Sequence, residues 1–451
     1  MGIYNWLKAK TLAKFSAAST PNFFNPNATL PEASRRALVD QFRSWVFTAS
    51  TTNGSAVANV PLRLYATTNP GDAMPRSRGG RGGKNYRELD SRELKDLQAR
   101  SSSQKLLVAT SQAQIVTEIL DHPFLDLMKN INPYRDQFEF FEETTIFGDL
   151  TGDSFWYVVK DALGTPIELY LLPSQYVRIV PSKTKMIKGY LYGRNQTKQV
   201  AFTVDEIIHF RRPNPLNQLY GMGCVEATWG SVSLHNSMNE YEFALNKNMG
   251  VPSTVINYNG QIAKDDIKRL EREWNLVMSG IRNSGKVKVV SEDFNVKTLA
   301  LAPRDMGYKE GRKYTKNDIL NAFGIPISMV ETENVNKANA QAGNEQYARR
   351  AVLPRIRRME NKLNQSLIPM YNEPRLFVAF DNPVPEDEAF ELSKSNQLYT
   401  SRIITRGEAR QEMGYNPEPM PGDDTGYYEA PTTQAGTSSE SDTVITTDDE
   451  V

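Results

Sequence analysis

The chain has 451 residues, 39% hydrophobic and 24% charged, a balance that supports two or three compact units with ordinary cores. No run approaches the roughly 18 apolar residues of a membrane-spanning helix. The first residues lack the apolar core of a signal peptide, and the single cysteine, Cys224, permits no internal disulfide, so folding is expected in a cytoplasm. The formal charge of zero hides a segregation: residues 416–451 hold nine acidic and no basic residues, which leaves 53 basic against 44 acidic elsewhere, a net of +9.

In chain order, Trp6 stands where a myristoylation signal needs Ser or Thr. Residues 37–65 contain SWVFTASTTNGSAVANVPLRLY, a helix-like small-residue run that leads into the strand VPLRLY. Asn69 to Lys84 is dense in Gly, Pro and Arg and reads as a mobile insertion; an Arg-Gly run can also bind nucleic acid. It imitates a phosphate loop, but Arg78 and Asn85 stand where Gly and Ser or Thr are required. Any ATP-driven step therefore calls for a separate ATPase subunit.

Pro133 to Gly148 reads as a helix with Phe138, Phe141 and Ile146 toward one side. Between 153 and 211 the period drops to two through SFWYVV, PIELYLL, QYVRIV, MIKGYLYG, KQVAFT and EIIHF, which predicts an antiparallel meander. A helix from about Cys224 to Met249 places Leu234, Met238, Tyr241, Leu245 and Met249 on one stripe. A strand-helix-strand insert follows, with strands STVINY, GKVKVV and NVKTLAL, and with Asp265 or Asp266 capping its helix. A second long helix, from about Pro303, runs to Phe323 and stops at Gly324 and Pro326. Two helices thus bracket a small α/β knob.

Glu331 to Asn344 offers almost nothing to bury and reads as a polar loop between helices. Ala348, Val352, Ile356, Met359, Leu363, Leu367 and Met370 then keep one face apolar through about six turns, and Pro354 predicts a kink. The Thr-, Ser- and Pro-rich acidic end is expected to be disordered. Catalytic signals are weak. His122, His209 and His235 have no metal-ligand spacing, and His209, ending an apolar strand, reads as a hydrogen-bonded core residue. Glu142-Glu143 and Asp265-Asp266 are adjacent pairs that point to different sides. No catalytic, metal or cofactor site is predicted.

Several segments carry a resemblance. These are the small-residue run before Pro61-Leu-x-Leu-Tyr65, His122-Pro123 with Asn132-Pro133 and its aromatic helix, and Gly152 through Val180. Others are the strand with His209 leading to Gly-x-x-x-x-Glu-Ala, the helix end ALNKNMGVPSTVI, and SRIITRGEARQEMGYNPEPMPGDD, with Gly407 where Asn is usual. Together with helix, Gly-Ile-Pro, polar loop and long helix, they resemble the portal proteins of tailed bacteriophages of the long-tailed class over about residues 37–422. The resemblance implies an α+β portal fold with a β-rich wing, a two-helix stem, a small α/β clip, a long tunnel helix and a helical crown, assembled as a ring. Its parts would be an arm at 1–36, a wing at 37–223 with an insertion at about 69–105, and stem helices at 224–250 and 302–324 around a clip at 251–301. A tunnel loop at 325–344, a long helix and wing-returning strand at 345–383, a crown at 384–422 and the acidic tail at 423–451 complete it.

The function implied is that of a dodecameric ring at one capsid vertex, a channel for DNA packaging and ejection that is not itself an enzyme. Partners implied are further copies of the chain, double-stranded DNA, the terminase large subunit, the head-tail adaptor, and major capsid and scaffolding proteins, with no membrane. Its place would be the virion, after assembly in host cytoplasm. Other readings are a nucleic-acid-modifying enzyme with a dispersed acidic site, or a neck or minor capsid adaptor. Asn334, Asn336, Lys337, Asn339 and Gln341 are the candidate tunnel-loop contacts to DNA. Lys309, Arg312, Lys313 and Lys316, at i, i+3, i+4 and i+7, share one helix face. That face would either ring the channel or form a solvated or inter-subunit surface. Lys268, Arg269, Glu271, Arg272 and Arg282 are the clip candidates for docking the motor or adaptor.

Overall fold

The computed structural model describes residues 32–68, 86–89, 91–101, 103, 105–106, 115–182, 185–194, 198–247, 254–257, 265, 268–269, 272, 295–298, 308–330, 337–385 and 388–413. The chain forms two compact units, Met1–Val384 and Pro385–Val451. Residues 1–31 of the expected arm, the Asn69–Lys84 insertion, the strand GKVKVV and the acidic tail lie outside the described residues, while residues 32–36 of that arm are helix.

The first unit opens with α1 (Glu32–Val39), α2 (Ser44–Ala58), β1 (Leu62–Thr68), β2 (Tyr86–Glu88), α3 (Ser91–Arg100) and β3 (Ile115–Ile119). Next come α4 (Pro123–Lys129) and α5 (Gln137–Thr151). Six strands follow: β4 (Asp153–Lys160), β5 (Pro166–Leu172), β6 (Val177–Pro181), β7 (Ile187–Tyr192), β8 (Val200–Phe202) and β9 (Ile207–Arg211). Then come α6 (Cys224–Ala227), α7 (Trp229–Lys247), β10 (Thr254–Asn257) and β11 (Asn295–Thr298). The unit closes with α8 (Tyr308–Phe323), α9 (Lys337–Tyr347), α10 (Leu353–Ser366) and β12 (Leu376–Phe380). The second unit contains α11 (Glu388–Thr400) and α12 (Arg406–Glu412). At the start of α12, Thr405 Oγ1 accepts from Glu408 N at 3.2 Å while Glu408 Oε2 accepts from Thr405 N at 2.8 Å, a capping box.

One antiparallel sheet has the strand order β12-β1-β3-β2, with Leu64 opposite Val378 and Tyr65 opposite Phe377. Leu64, Ala66, Leu376, Val378 and Phe380 face the principal core. Tyr65, Phe377, Ala379 and Val116 face a smaller one with Leu97 and Leu106. Both faces are covered, which is why Leu-Phe-Val-Ala-Phe in β12 shows no polar alternation.

All six strands expected between 153 and 211 form, but not as one meander. They make two sheets, β5-β4-β9 and β6-β7-β8. Pro173 and the tight turn Ser174–Tyr176 break the run after β5, and Ser174 Oγ ties that turn back to Asp153 O at 2.6 Å. The free edge of β4 is taken by β9 instead, with Phe155 opposite His209. Alternation along β4 then serves two cores. Trp156 and Val158 face the principal core, while Phe155 and Tyr157 meet Val177, Ile179, Tyr190 and Phe202 from the other sheet. Trp156 lies against Phe140 at 4.7 Å between ring centroids, and its indole N–H is satisfied by Thr144 Oγ1 at 2.8 Å.

The helix expected at Pro133–Gly148 runs later. Asp136 caps it by accepting from Glu139 N at 2.8 Å, and Asn132 Oδ1 holds the preceding turn through Tyr134 N at 2.9 Å, so residues 133–136 are turn, not helix. The small residues of α2 have a packing reason. A Cβ on Gly54 would stand 2.9 Å from Glu142 Cγ and 3.1 Å from Glu142 O, so only glycine lets α2 approach α5 this closely. Gly152 ends α5 with φ of 79°, and a Cβ there would also meet the Gly221 backbone at 2.4 Å.

Candidate functional site

The helix expected from Cys224 to Met249 is interrupted at Thr228, whose Oγ1 donates to Cys224 O at 2.8 Å and whose backbone leaves the helical region. α7 packs on α8 and buries Val232 and His235. The predicted stripe is therefore only partly inward. Leu234 is 49% and Tyr241 39% exposed, because among the described residues only a narrow face of α7 has a neighbour. Met238 does face α8, where its Cε would lie 2.8 Å from a Cβ on Gly311. Leu245 and Met249 lie outside the described side chains.

His235 locks the base of this helix pair. Its Nδ1 is 3.2 Å from Thr315 Oγ1 on α8 and its Nε2 3.2 Å from Ser44 Oγ on α2. Thr315 Oγ1 also lies 3.1 Å from Gly311 O, within donating reach. With that proton committed, Nδ1–H donates to Thr315 and Nε2 accepts from Ser44. Burial, with Arg312 nearby, lowers the pKa of His235 and keeps it neutral.

The four cations of α8 do not present one free face. Arg312 pairs with Glu242 at 2.7 Å and also reaches Asn239. Lys316 lies 4.8 Å from the centroid of the Trp45 ring. Lys309 and Lys313 are exposed. In the β10–β11 ribbon, Thr254 pairs with Thr298 and Asn257 with Asn295. Lys268, Arg269 and Arg272 are exposed positions of a helix in this insert. Glu271 and Arg282 lie outside the described residues.

α8 ends as its sequence predicts. Gly324 has φ of 81°, Ile325 N donates to Leu320 O at 2.9 Å, and Gly324 N donates to Asn321 O at 3.0 Å, the two bonds of a Schellman motif. Buried Ile325 and Leu320 supply its apolar contact. The polar loop expected at Glu331–Asn344 is corrected: from Lys337 it is already helix. KANAQAGNEQY is rich in Ala, Gln, Glu and Lys, good helix formers that need no apolar stripe. The helix is anchored where a Cβ on Gly343 would stand 2.4 Å from Ser328 Oγ. Asn339 and Gln341 are exposed on α9, Lys337 opens it, and Asn334 and Asn336 lie outside the described residues. The kink expected at Pro354 takes the form of a wide turn of π-helix at Ala348–Val352, directly before α10. Pro354 has no N–H to donate, so the helical ladder changes register in the turn before it.

Both flanks of this segment are tied to one buried carboxylate. Asp149, 1% exposed, accepts from Arg355 Nε at 3.0 Å, Arg355 Nη2 at 3.0 Å and Asn53 Nδ2 at 2.9 Å, and also from Arg212 Nη1. Arg355 Nη2 and Asn53 Nδ2 each donate to Phe323 O, the last residue of α8, at 3.1 Å. Tyr347 OH, at the end of α9, donates to Asn53 Oδ1 at 3.0 Å. A second buried carboxylate, Asp153, accepts from Arg35 and His209 at 2.7 Å each and from Gly221 N at 2.9 Å. His209 is thus a hydrogen-bonded core residue, its pKa lowered by burial. Beside these hubs lies a cleft of about 510 Å³, bordered by Arg211, Arg212, Arg355, Arg358 and Lys362. Among the described residues, no group of three His, Cys, Asp or Glu side chains could hold a metal ion.

Of the hub residues, the sequence points to His209 alone. For the others the one available signal was Gly148-Asp-Leu-Thr-Gly152-Asp, two aspartates beside glycines. Likewise α10 carries, beside its apolar stripe, a basic stripe of Arg355, Arg358 and Lys362.

A family model described as phage portal protein matches residues 99–414. The chain is 23% identical over 319 residues to an uncharacterized protein of Rickettsia felis, covering 67% of this chain and 80% of that one. It is 19% identical over 218 residues to a probable portal protein of Streptomyces phage phiC31, covering 46% of this chain and 48% of the other. Among solved structures, a chain from the neck of a native gene transfer agent particle, computed with C12 symmetry, superposes with a TM-score of 0.55 at 20% identity. That match covers 89% of this chain and 97% of the other. At such identity the likeness is one of fold.

Proposed function

Because this chain belongs to the phage portal protein family, we propose that twelve copies close into a ring at one capsid vertex and that double-stranded DNA is packaged and ejected through its channel. The number twelve follows the symmetry of the similar neck particle. What supports the reading most is the chain order: α6–α7, the β10–β11 insert, α8, the Schellman turn, α9, α10, and then β12 returning to β1. In this reading α6–α7 and α8 are the stem, residues 251–301 the clip, the segment through α9 the tunnel contact, and α11–α12 the crown. Trp229, Leu234 and Phe243 of α7 and Tyr314 of α8, all exposed, are the apolar surface that a neighbouring copy would cover.

Lys309 and Lys313 are the stem cations free to face the channel, since Arg312 and Lys316 are engaged within the chain. Lys337, Asn339 and Gln341, with Asn334 and Asn336, are the moving contacts to the DNA backbone. Amides and one cation hold phosphate only transiently, as a conduit requires, whereas a strongly basic lining would retain it. Lys268, Arg269 and Arg272 are the clip positions proposed to dock the terminase and later the head-tail adaptor.

The test is solution mass together with negative-stain images. Rings of about twelve subunits support the reading. A stable species near 50.9 kDa under all conditions, with no rings, refutes it and turns attention to an enzyme acting as a single chain. A variant with Lys337, Asn339 and Gln341 changed to Ala should form rings but package or retain DNA differently; unchanged DNA handling removes the tunnel role.

A further inference from the structure

The cleft between β9, the end of α5 and one stripe of α10 has an unbalanced charge. Arg211, Arg212, Arg355, Arg358 and Lys362 line it, with Asp149 as the only carboxylate among the described residues of the lining. A carboxylate has about four acceptor positions. Asp149 fills them with Arg212, two bonds from Arg355 and one from Asn53. It has no capacity left for further cations, and among the described residues neither Arg358 nor Lys362 has a hydrogen-bonded carboxylate.

The placement also works against the helix that carries it. Arg355, Arg358 and Lys362 stand at i, i+3 and i+7 on α10, where like charges repel. Arg358 is an exposed residue; partial desolvation, and then the guanidiniums of Arg212 and Arg355, push its pKa down. Burial, and then Arg211, do the same to Lys362. Folding alone gains nothing from such a cluster. An anion entering the cleft would relieve it, and the forked donors of arginine match phosphate oxygens better than any other common group. A single carboxylate would balance too little of the charge. The volume, about 510 Å³, falls in the range of small-ligand sites and leaves room for linked phosphates.

We propose that this cleft is a phosphate-binding site, in which Arg358 and Lys362 of α10 and Arg211 of β9 grip one phosphate or two linked ones while Arg212 and Arg355 stay on Asp149. The inference rests on the cleft alone and stands whether or not the chain forms a ring.

The test uses the full chain with inorganic phosphate and pyrophosphate as probes, by calorimetry and thermal unfolding against chloride at equal ionic strength. The chain should bind pyrophosphate more tightly than phosphate and unfold at a higher temperature with either. Arg358→Gln with Lys362→Gln should weaken binding by about tenfold or more, the loss expected when charge-assisted hydrogen bonds to an anion are removed. Both side chains lie outside the Asp149 network, so this variant should unfold without anion at the same temperature or a higher one. Arg358→Lys, which keeps the charge and loses the fork, should fall between. Lys95→Gln with Lys129→Gln, exposed cations of α3 and α4 outside the lining, should leave the affinity unchanged. A short DNA duplex that displaces pyrophosphate assigns the phosphate to a nucleic-acid backbone; a duplex that does not displace it assigns a free anion. No binding beyond the chloride control, or equal affinity in the Arg358→Gln/Lys362→Gln variant, overturns the proposal. So does loss of self-assembly in that variant without any anion effect, which would give these cations to a carboxylate of a second copy.

Discussion

Replacing Asp149 by Ala removes the group on which α2, α5, the end of α8 and the start of α10 converge. Arg212 and Arg355 then lose their shared counter-ion, with side chains only 22% and 10% exposed, and Asn53 loses one of its two acceptors. Breaking a buried ion pair by removing one partner costs about 3–5 kcal/mol. Arg212 has some access to water, so the lower end applies, about 3 kcal/mol. Asp149→Asn keeps the shape and one acceptor oxygen while losing the charge, and should cost about half as much. Urea unfolding should show the midpoint falling with an unchanged slope. Adding Arg355→Met to Asp149→Ala should recover about 1 kcal/mol, since one uncompensated cation is gone. Hydrogen exchange should report faster opening of the last turn of α8 and of α9, because Phe323 O and Tyr347 OH are held through the same residues. An Asp149→Ala chain within about 1 kcal/mol of the parent would refute this account of how the segment is anchored.

Gly152→Ala should destabilise by about 2–4 kcal/mol, since the position combines φ of 79° with a 2.4 Å approach to Gly221; a thermal midpoint equal to the parent's would contradict it. All three histidines have pKa values lowered by burial, so between their folded values and the unfolded value near 6.5 the unfolded chain binds more protons. Stability is then complete above about pH 6.5 and falls as pH drops below it. Urea midpoints measured at descending pH check this, and His235→Gln should flatten the slope without removing it. Leu234→Lys, at a side chain 49% exposed, should change single-chain stability by no more than about 0.5 kcal/mol yet reduce ring formation in mass measurements; intact rings would remove α7 from the proposed interface.

Features governed by a few neighbouring residues were legible beforehand. Gly324 followed by Pro326 announced the end of α8, and alternation announced all six strands from β4 to β9. His209 at the end of an apolar strand announced a satisfied core histidine, and its partner proved to be Asp153. The misreadings have particular causes. α9 was hidden because its stability comes from propensity and from the contact of Gly343 with Ser328, not from an apolar stripe. On α7 periodicity marks Leu234 and Tyr241 as part of an apolar stripe without saying what covers it, and both are exposed. α8 showed four cations on one face, but Glu242 and Trp45, which engage two of them, come from distant segments.

The sequence by itself determined the strands of β4 to β9, the stem helices and the end of α8, since caps, turns and periodicities depend on residues a few positions apart. Only the tertiary structure decided that β9 takes the edge of β4, that β12 closes on β1, and that Asn53, Asp149, Arg212, Phe323 and Arg355 meet at one point. It also decided which cations are neutralised and which are left facing the cleft. Charge compensation is a property of segments brought together from hundreds of residues apart, and no local pattern encodes which of them will meet.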